Sequence, residues 1–300
     1  MTRELQQWKA AGSFVLTADP SVKIFVHECG NREASSEETL LLLHGFPESS
    51  YSYHAVIPAL LNRFKRVIAF DMIGYGFSDK PEDYSYSLLK QADYALEIWE
   101  ALGITGGHLL AHDMGDSVAT ELLSRSEERS LPAWFKDGFE SITFTNGGMV
   151  LEHAQLRIAQ KILLSGIGKY FAQLVSFSIF KHQVKSAHGN SNLSNKEIEL
   201  LWEFGCLAEG NKKTYLTIRY LNDRKRYEKS RWLPALAQTK IPIHICWGKD
   251  DAVAPIKIAM HLKDQVCPQA KLTLMDNVGH FGQLGNPEAW VEGVLGFFGK

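Results

Sequence analysis

The stretch Ala111-His112-Asp113-Met114-Gly115 sets a carboxylate between two small residues, where an apolar run, His108–Ala111, gives way to a helical pattern, Gly115–Ser124. A strand that turns sharply into a helix pushes the middle residue of such a pattern into the cleft, and only small residues fit beside it. The positive end of the helix then lies behind the exposed side chain and favours an anion. A serine placed there attacks acyl carbon. A carboxylate attacking the same carbon gives a labile anhydride, so its productive use is displacement at a saturated carbon, leaving an alkyl ester that water cleaves. The expected substrate carries a leaving group on sp³ carbon, as an epoxide or an alkyl halide does. The plainer reading is that Asp113 only caps a helix.

The partners of such a nucleophile follow in the order this turn requires: nucleophile, acid, histidine. The apolar run Ile241–Trp247 leads into Gly248-Lys249-Asp250-Asp251, and Lys271–Leu274 leads into Met275-Asp-Asn-Val-Gly279-His280. Asp251 is preferred over Asp250 as the orienting acid, because Gly-x-x-Asp is the commoner spacing. His280 is the expected base. Taken singly, Asp251 reads as a turn residue and His280 as a surface histidine; their joint placement at strand ends is what argues for catalysis. After Leu40–Leu43 comes His44-Gly45-Phe46-Pro47-Glu48, whose glycine lets backbone N–H groups face the cleft. The amides of Phe46 and Met114 are expected to form an oxyanion hole.

The elements that must carry these residues are legible as short apolar runs alternating with helical patterns. Val22–His27, Leu40–Leu43, Arg66–Phe70, His108–Ala111, Ser141–Thr145, Ile241–Trp247 and Lys271–Leu274 read as strands. Tyr84–Leu102, Gly115–Ser124 and Pro287–Phe298 read as helices. This rhythm predicts an α/β fold with a mostly parallel, doubly wound sheet, its ligand site beyond the strands' C-terminal ends. The ninety or so residues between Thr145 and Lys240 are too long for a loop. They are expected to form a helical cap, residues 147–233, on a core made of residues 1–146 and 234–300. Its expected helices are Leu151–Leu164, Tyr170–Phe180, Ser194–Ala208 and Lys213–Tyr220, with Lys185–Asn195 a mobile connection. Lys212 to Arg231 holds eight basic residues, read as the solvated face of cap helices. His112 is read as packing, and Asp116 as a carboxylate suited to the helix dipole.

Composition narrows the rest. The chain has 300 residues, is 45% hydrophobic and carries a formal net charge of −2, which gives no overall pull towards nucleic acid or anionic membrane. There is no apolar segment of signal-peptide or membrane-span type. Four scattered cysteines, Cys29, Cys206, Cys246 and Cys267, have no metal-ligand spacing and read as reduced thiols of a cytoplasmic protein. No metal or organic cofactor is expected. The oligomeric state is not legible.

His44-Gly-Phe-Pro-Glu48, Asp71-Met-Ile-Gly-Tyr-Gly-Phe-Ser-Asp-Lys-Pro81, Ala111-His-Asp-Met-Gly115, the late Gly-x-x-Asp and His280 together resemble the epoxide hydrolase and haloalkane dehalogenase branch of the α/β-hydrolases. Within it the chain is most similar to the mesoderm-specific transcript group, through Trp8-Lys9, Thr145-Asn-Gly-Gly148 and Tyr220-Leu-Asn-Asp-Arg-Lys-Arg-Tyr227. The resemblance implies an α/β-hydrolase fold with an eight-stranded sheet, and hydrolysis of a small, mainly apolar substrate. Dehalogenases of this branch hold the halide with N–H donors at positions here occupied by Phe46 and Met114, whose side chains cannot donate. Epoxide hydrolases often carry His-Gly-Phe-Pro-Glu and use cap tyrosines to protonate the epoxide oxygen; Tyr220 and Tyr170 are the implied pair, with Tyr215 a rival. They also usually place tryptophan after the nucleophile, so Met114 departs from both patterns. Epoxide hydrolysis is the leading expectation, dehalogenation the alternative, and a non-enzymatic protein that kept the fold a third.

Overall fold

A computed structural model describes residues 1–18 and 21–298. Eight strands form one sheet: β1 (Ser13–Leu16), β2 (Lys23–Gly30), β3 (Thr39–Leu43), β4 (Arg66–Phe70), β5 (Gly106–His112), β6 (Gly138–Thr145), β7 (Ile243–Gly248) and β8 (Lys271–Met275). Their spatial order is β1-β2-β4-β3-β5-β6-β7-β8. β2 pairs antiparallel with β1 and β4, and every other pair is parallel. β3 and β4 are buried along their whole length, as strands covered by helices on both faces must be. Apolar side chains on the two faces build two separate cores. The chain leaves β3 towards β4 on one side and later reaches β5 on the other. The crevice beyond β3 and β5 is therefore the switch point where ligands bind in such sheets.

Several short elements escaped the sequence reading, among them the helices Ile57–Leu60 and Ile256–His261, the first strand and the first helix. β1 is a four-residue edge strand with Phe14 and Leu16 exposed, too short and too open to show a pattern. The helix Arg3–Ala11 buries only Leu5 and Trp8. The helix expected from Tyr84 starts at Leu88, because Tyr86 takes φ +52° and the Ser87 hydroxyl caps Leu89.

Between β6 and β7 the chain forms a set of short helices, among them Ile158–Leu163, Gly168–Leu174, Phe177–His188, Asn195–Cys206 and Tyr220–Tyr227. Leu151–Leu164 is helical only from Ile158, and Tyr170–Phe180 is broken in two where Ser176 caps the second helix. Lys185–Asn195 is not a loose connection. The helix continues to His188, Gly189 closes it at φ +94°, and the asparagines beyond bond to the core: Asn190 to Asp250 and Asn192 to the Asn277 carbonyl. Two of its polar side chains thus tie an otherwise largely exposed segment to the core. No helix among the described residues is long and apolar enough to cross a membrane.

Candidate active site

β5 ends at His112, and Asp113 makes the turn at φ +47°, ψ −107°, before the helix Met114–Glu127. A non-glycine residue at that φ is strained, at a cost of about 1–3 kcal/mol, and persists only where its surroundings enforce it. Two glycines do so here. A Cβ on Gly115 would sit 2.5 Å from the Leu43 carbonyl oxygen, and one on Gly45 2.8 Å from the Asp113 Cβ. Only glycines allow the helix start and the β3 turn to close on the nucleophile position.

The Phe46 N–H donates to Asp113 Oδ2 at 3.0 Å. Among the described residues it is the one hydrogen bond to that carboxylate. The Met114 amide heads the helix without reaching it, and the Met114 sulfur receives the Tyr75 hydroxyl at 3.3 Å. The other carboxylate oxygen, Oδ1, lies 3.6 Å from Arg224 Nη2. The same guanidinium donates to the Asp113 carbonyl and the Ser117 hydroxyl, both at 2.8 Å. Burial works to neutralise Asp113, but Arg224, His280, His112 and the Phe46 amide outweigh it and hold the carboxyl below its usual range. Asp116, three residues on, is the opposite case: burial raises it well above that range. Buried beside Asp113, Asp116 accepts from the Thr145 amide at 3.2 Å.

His280 Nδ1 lies 2.8 Å from Asp251 Oδ2, which turns Nε2 towards the cavity that His280 lines. Asp251 also accepts from Asn146 Nδ2 and from the amides of Val253 and Ala254, at 2.7–2.8 Å. Asp250 instead holds Asn190. Burial disfavours the imidazolium, but Asp251, Asp113 and Glu48 overcome it and lift His280 to about 9. The loop bearing His280 is clamped from the cap: its amide donates to the His188 carbonyl at 2.9 Å, and the Phe281 amide donates to His188 Nδ1 at 3.1 Å. Accepting that bond requires His188 to be neutral, and burial lowers its pKa accordingly. Beneath the nucleophile, Glu48 accepts from the Gly45 amide and from Gln283, and lies 3.5 Å from His112 Nε2. Burial raises Glu48 and lowers His112.

The expected tyrosines separate. Tyr220 is 1% exposed, its ring centroid 5.8 Å from that of Phe46 and its face 4.8 Å beneath the Arg224 guanidinium. Tyr170 is 73% exposed and does not line the cavity. It points outward because the opposite side of its helix, through Phe171 and Ala172, faces the interior. Tyr215 packs at the core's margin. The phenol on the cavity wall is Tyr75, from the turn after β4. The cavity measures about 740 Å³ and runs from Asp113, His280 and Glu48 under an apolar cap surface that includes Leu156, Leu163, Phe171 and Val184.

A sequence profile described as the alpha/beta hydrolase fold matches residues 38–287. The chain belongs to the α/β-hydrolase family. It is similar to a Mycobacterium tuberculosis protein named LipZ, 36% identical over 97% of this chain and 96% of that one. It is also similar to the human mesoderm-specific transcript homolog protein, 33% identical over 98% of this chain and 87% of the other. Among solved structures, a haloalkane dehalogenase DbeA variant from Bradyrhizobium elkanii shares the fold, with a TM-score of 0.74, 23% identity and 96% of each chain covered.

In this hydrolase the structure brings Asp113, Phe46, Asp251 and His280 to one site, leaves Tyr170 outside it, and adds residues that sequence reading missed. Arg224 belongs to a charge run that reads as a solvated face, but it is buried against Asp113. A lone cation at helical spacing among seven others gave no signal. Arg231 of the same stretch pairs with Glu121 and Glu128. Asn146 was noted only as part of a resemblance, although an asparagine just past a strand end is a position where an orienting donor could be sought. His188 lay in the segment read as mobile.

Proposed function

We propose that this hydrolase opens an epoxide through an ester on Asp113 and releases a diol. The observation that carries the reading is a buried carboxylate at the elbow, held by the Phe46 amide with Arg224 beside it and facing an apolar cavity shared with His280. Asp113 Oδ1, the oxygen not held by the Phe46 amide, attacks a ring carbon in line, and the carbon–oxygen bond opposite it breaks. Tyr75 on the wall, with Tyr220 beside it, gives its proton to the released oxygen. Burial keeps both phenols protonated until then.

Esterification then removes a charge that helps keep His280 protonated. The imidazolium loses its proton to the phenolate, and both become neutral. His280, now a base, takes a proton from water, and the hydroxide attacks the Asp113 carbonyl carbon. The oxyanion forms at Oδ2, against the Phe46 amide; losing such a donor typically costs ~10²–10³ in rate. Collapse releases the diol and restores carboxylate and imidazolium. The base is therefore silent until the ester exists.

The test is His280→Gln with a panel of epoxides. Intact-protein mass should rise by one substrate mass as the ester accumulates. No adduct with any epoxide or alkyl halide defeats the carboxylate mechanism. A second reading, cleavage of an alkyl halide, draws on Trp202, an indole on the cavity wall that could meet a departing anion. Halide release without turnover of any epoxide assigns the enzyme to that reaction.

A further inference from the structure

From His153 to Asn195 the chain contains no aspartate or glutamate, while Arg157, Lys161, Lys169, Lys181 and Lys185 give it five cations. The whole protein has a formal net charge of −2, so this half of the cap stands opposite in sign to the rest. None of the five pairs with a carboxylate among the described residues. Lys161, Lys169 and Lys185 are exposed, and Lys181 lies over the Phe177 ring.

The same segment holds five of the large apolar side chains that the surface exposes: Ile158 (77%), Ile167 (62%), Tyr170 (73%), Leu174 (73%) and Ile179. Ile167, Tyr170 and Leu174 recur at i, i+3 and i+7 of Gly168–Leu174 and its preceding residue, so they form one outward stripe. The other side of this helix, through Phe171 and Val175, lines the cavity. Ile158 and Ile179 belong to both surfaces, being exposed and lining the cavity. The segment that carries the stripe therefore also supplies apolar side chains to the cavity wall.

We propose that this face of the cap docks on an anionic lipid bilayer, with the stripe seated among the acyl chains and the lysines on the headgroups. Surface helices with apolar side chains on one face and flanking lysines bind that way, through buried apolar area and attraction to anionic lipid. A protein partner would match the cations with acidic groups but gives no reason for the same segment to line the cavity as well. A bilayer explains both, since it supplies negative charge at its surface and apolar molecules within. Membrane docking stands independently of the reaction proposed for Asp113.

The experiment is flotation of the full chain with vesicles of phosphatidylcholine alone and of phosphatidylcholine mixed with phosphatidylglycerol, at low and high salt. The protein should float with the anionic vesicles, less at high salt, and little with the neutral ones. Ile167→Asp combined with Leu174→Asp, neither of which lines the cavity, should lower binding by at least about tenfold. Lys161→Glu and Lys169→Glu should each lower it by about fivefold. Thermal melting checks that each variant is folded; if the aspartate pair is not, the lysine variants carry the test. Absence of flotation with anionic vesicles overturns the proposal, as does flotation that the folded variants leave unchanged. So does a dimer on gel filtration that the aspartate pair dissociates while wild-type protein ignores vesicles, because the stripe then covers a second copy of the chain.

Discussion

The turns that end β3, β5, β7 and β8 and the helices inserted between β6 and β7 face each other across one cavity, yet they are built by opposite means. The turns hold their residues through backbone: a forced φ at Asp113, glycines that admit no Cβ, and amides aimed at carboxylates. The inserted helices reach the site itself through Arg224, whose side chain bonds at Asp113, and through His188, whose ring and carbonyl hold the His280 loop. Under the proposed reaction, the first region fixes which atoms react, and the second sets the charge on Asp113 and the position of His280. An enzyme so divided should lose everything when a turn residue changes and lose control when an inserted residue changes.

Asp113→Asn should remove turnover almost entirely, by roughly 10⁴-fold or more as measured by kcat, as deletions of a reacting group do. Arg224→Met should come next. Leaving one partner of a buried pair unmatched costs about 3–5 kcal/mol, to be read in urea unfolding. Because Arg224 is the largest influence depressing the Asp113 pKa, the acid limb of kcat/KM should move to higher pH. An unmoved limb would place control of the nucleophile's charge in the turns alone. His188→Leu should remove an acceptor from a buried amide, at about 1–3 kcal/mol, and slow ester hydrolysis more than ester formation in single-turnover assays.

The pH dependence of stability sharpens the comparison. His280 is raised from 6.5 unfolded to about 9 folded. Its stabilisation is complete below about 6.5 and is lost as pH rises through 9. The melting-temperature gap between wild type and His280→Gln should therefore narrow across that interval. The smallest effect is expected from Tyr170→Phe, which should leave kcat unchanged within about twofold, since the side chain meets solvent.

The same division explains what could be read from sequence. The strand ends were legible because small residues, an acid and a histidine at fixed chain order leave a local trace, as at Ala111–Gly115. β4 matches its expected bounds, since a run buried on both faces has no ambiguity. Arg224, His188 and Tyr75 were not legible as site residues. Each acts on a partner more than thirty residues away, and nothing near it in sequence announces that contact. Tyr170 misled for the complementary reason. A tyrosine on a short amphipathic helix reads the same whether it faces the cavity or the outside.

The two bonds from His188 to the loop that carries the base limit how the roof can move. Were this half of the roof to swing away as a rigid door, it would break both bonds or drag the loop of His280 with it. Any rearrangement of this half of the roof that leaves His280 in place must therefore spare the turn at His188 and Gly189.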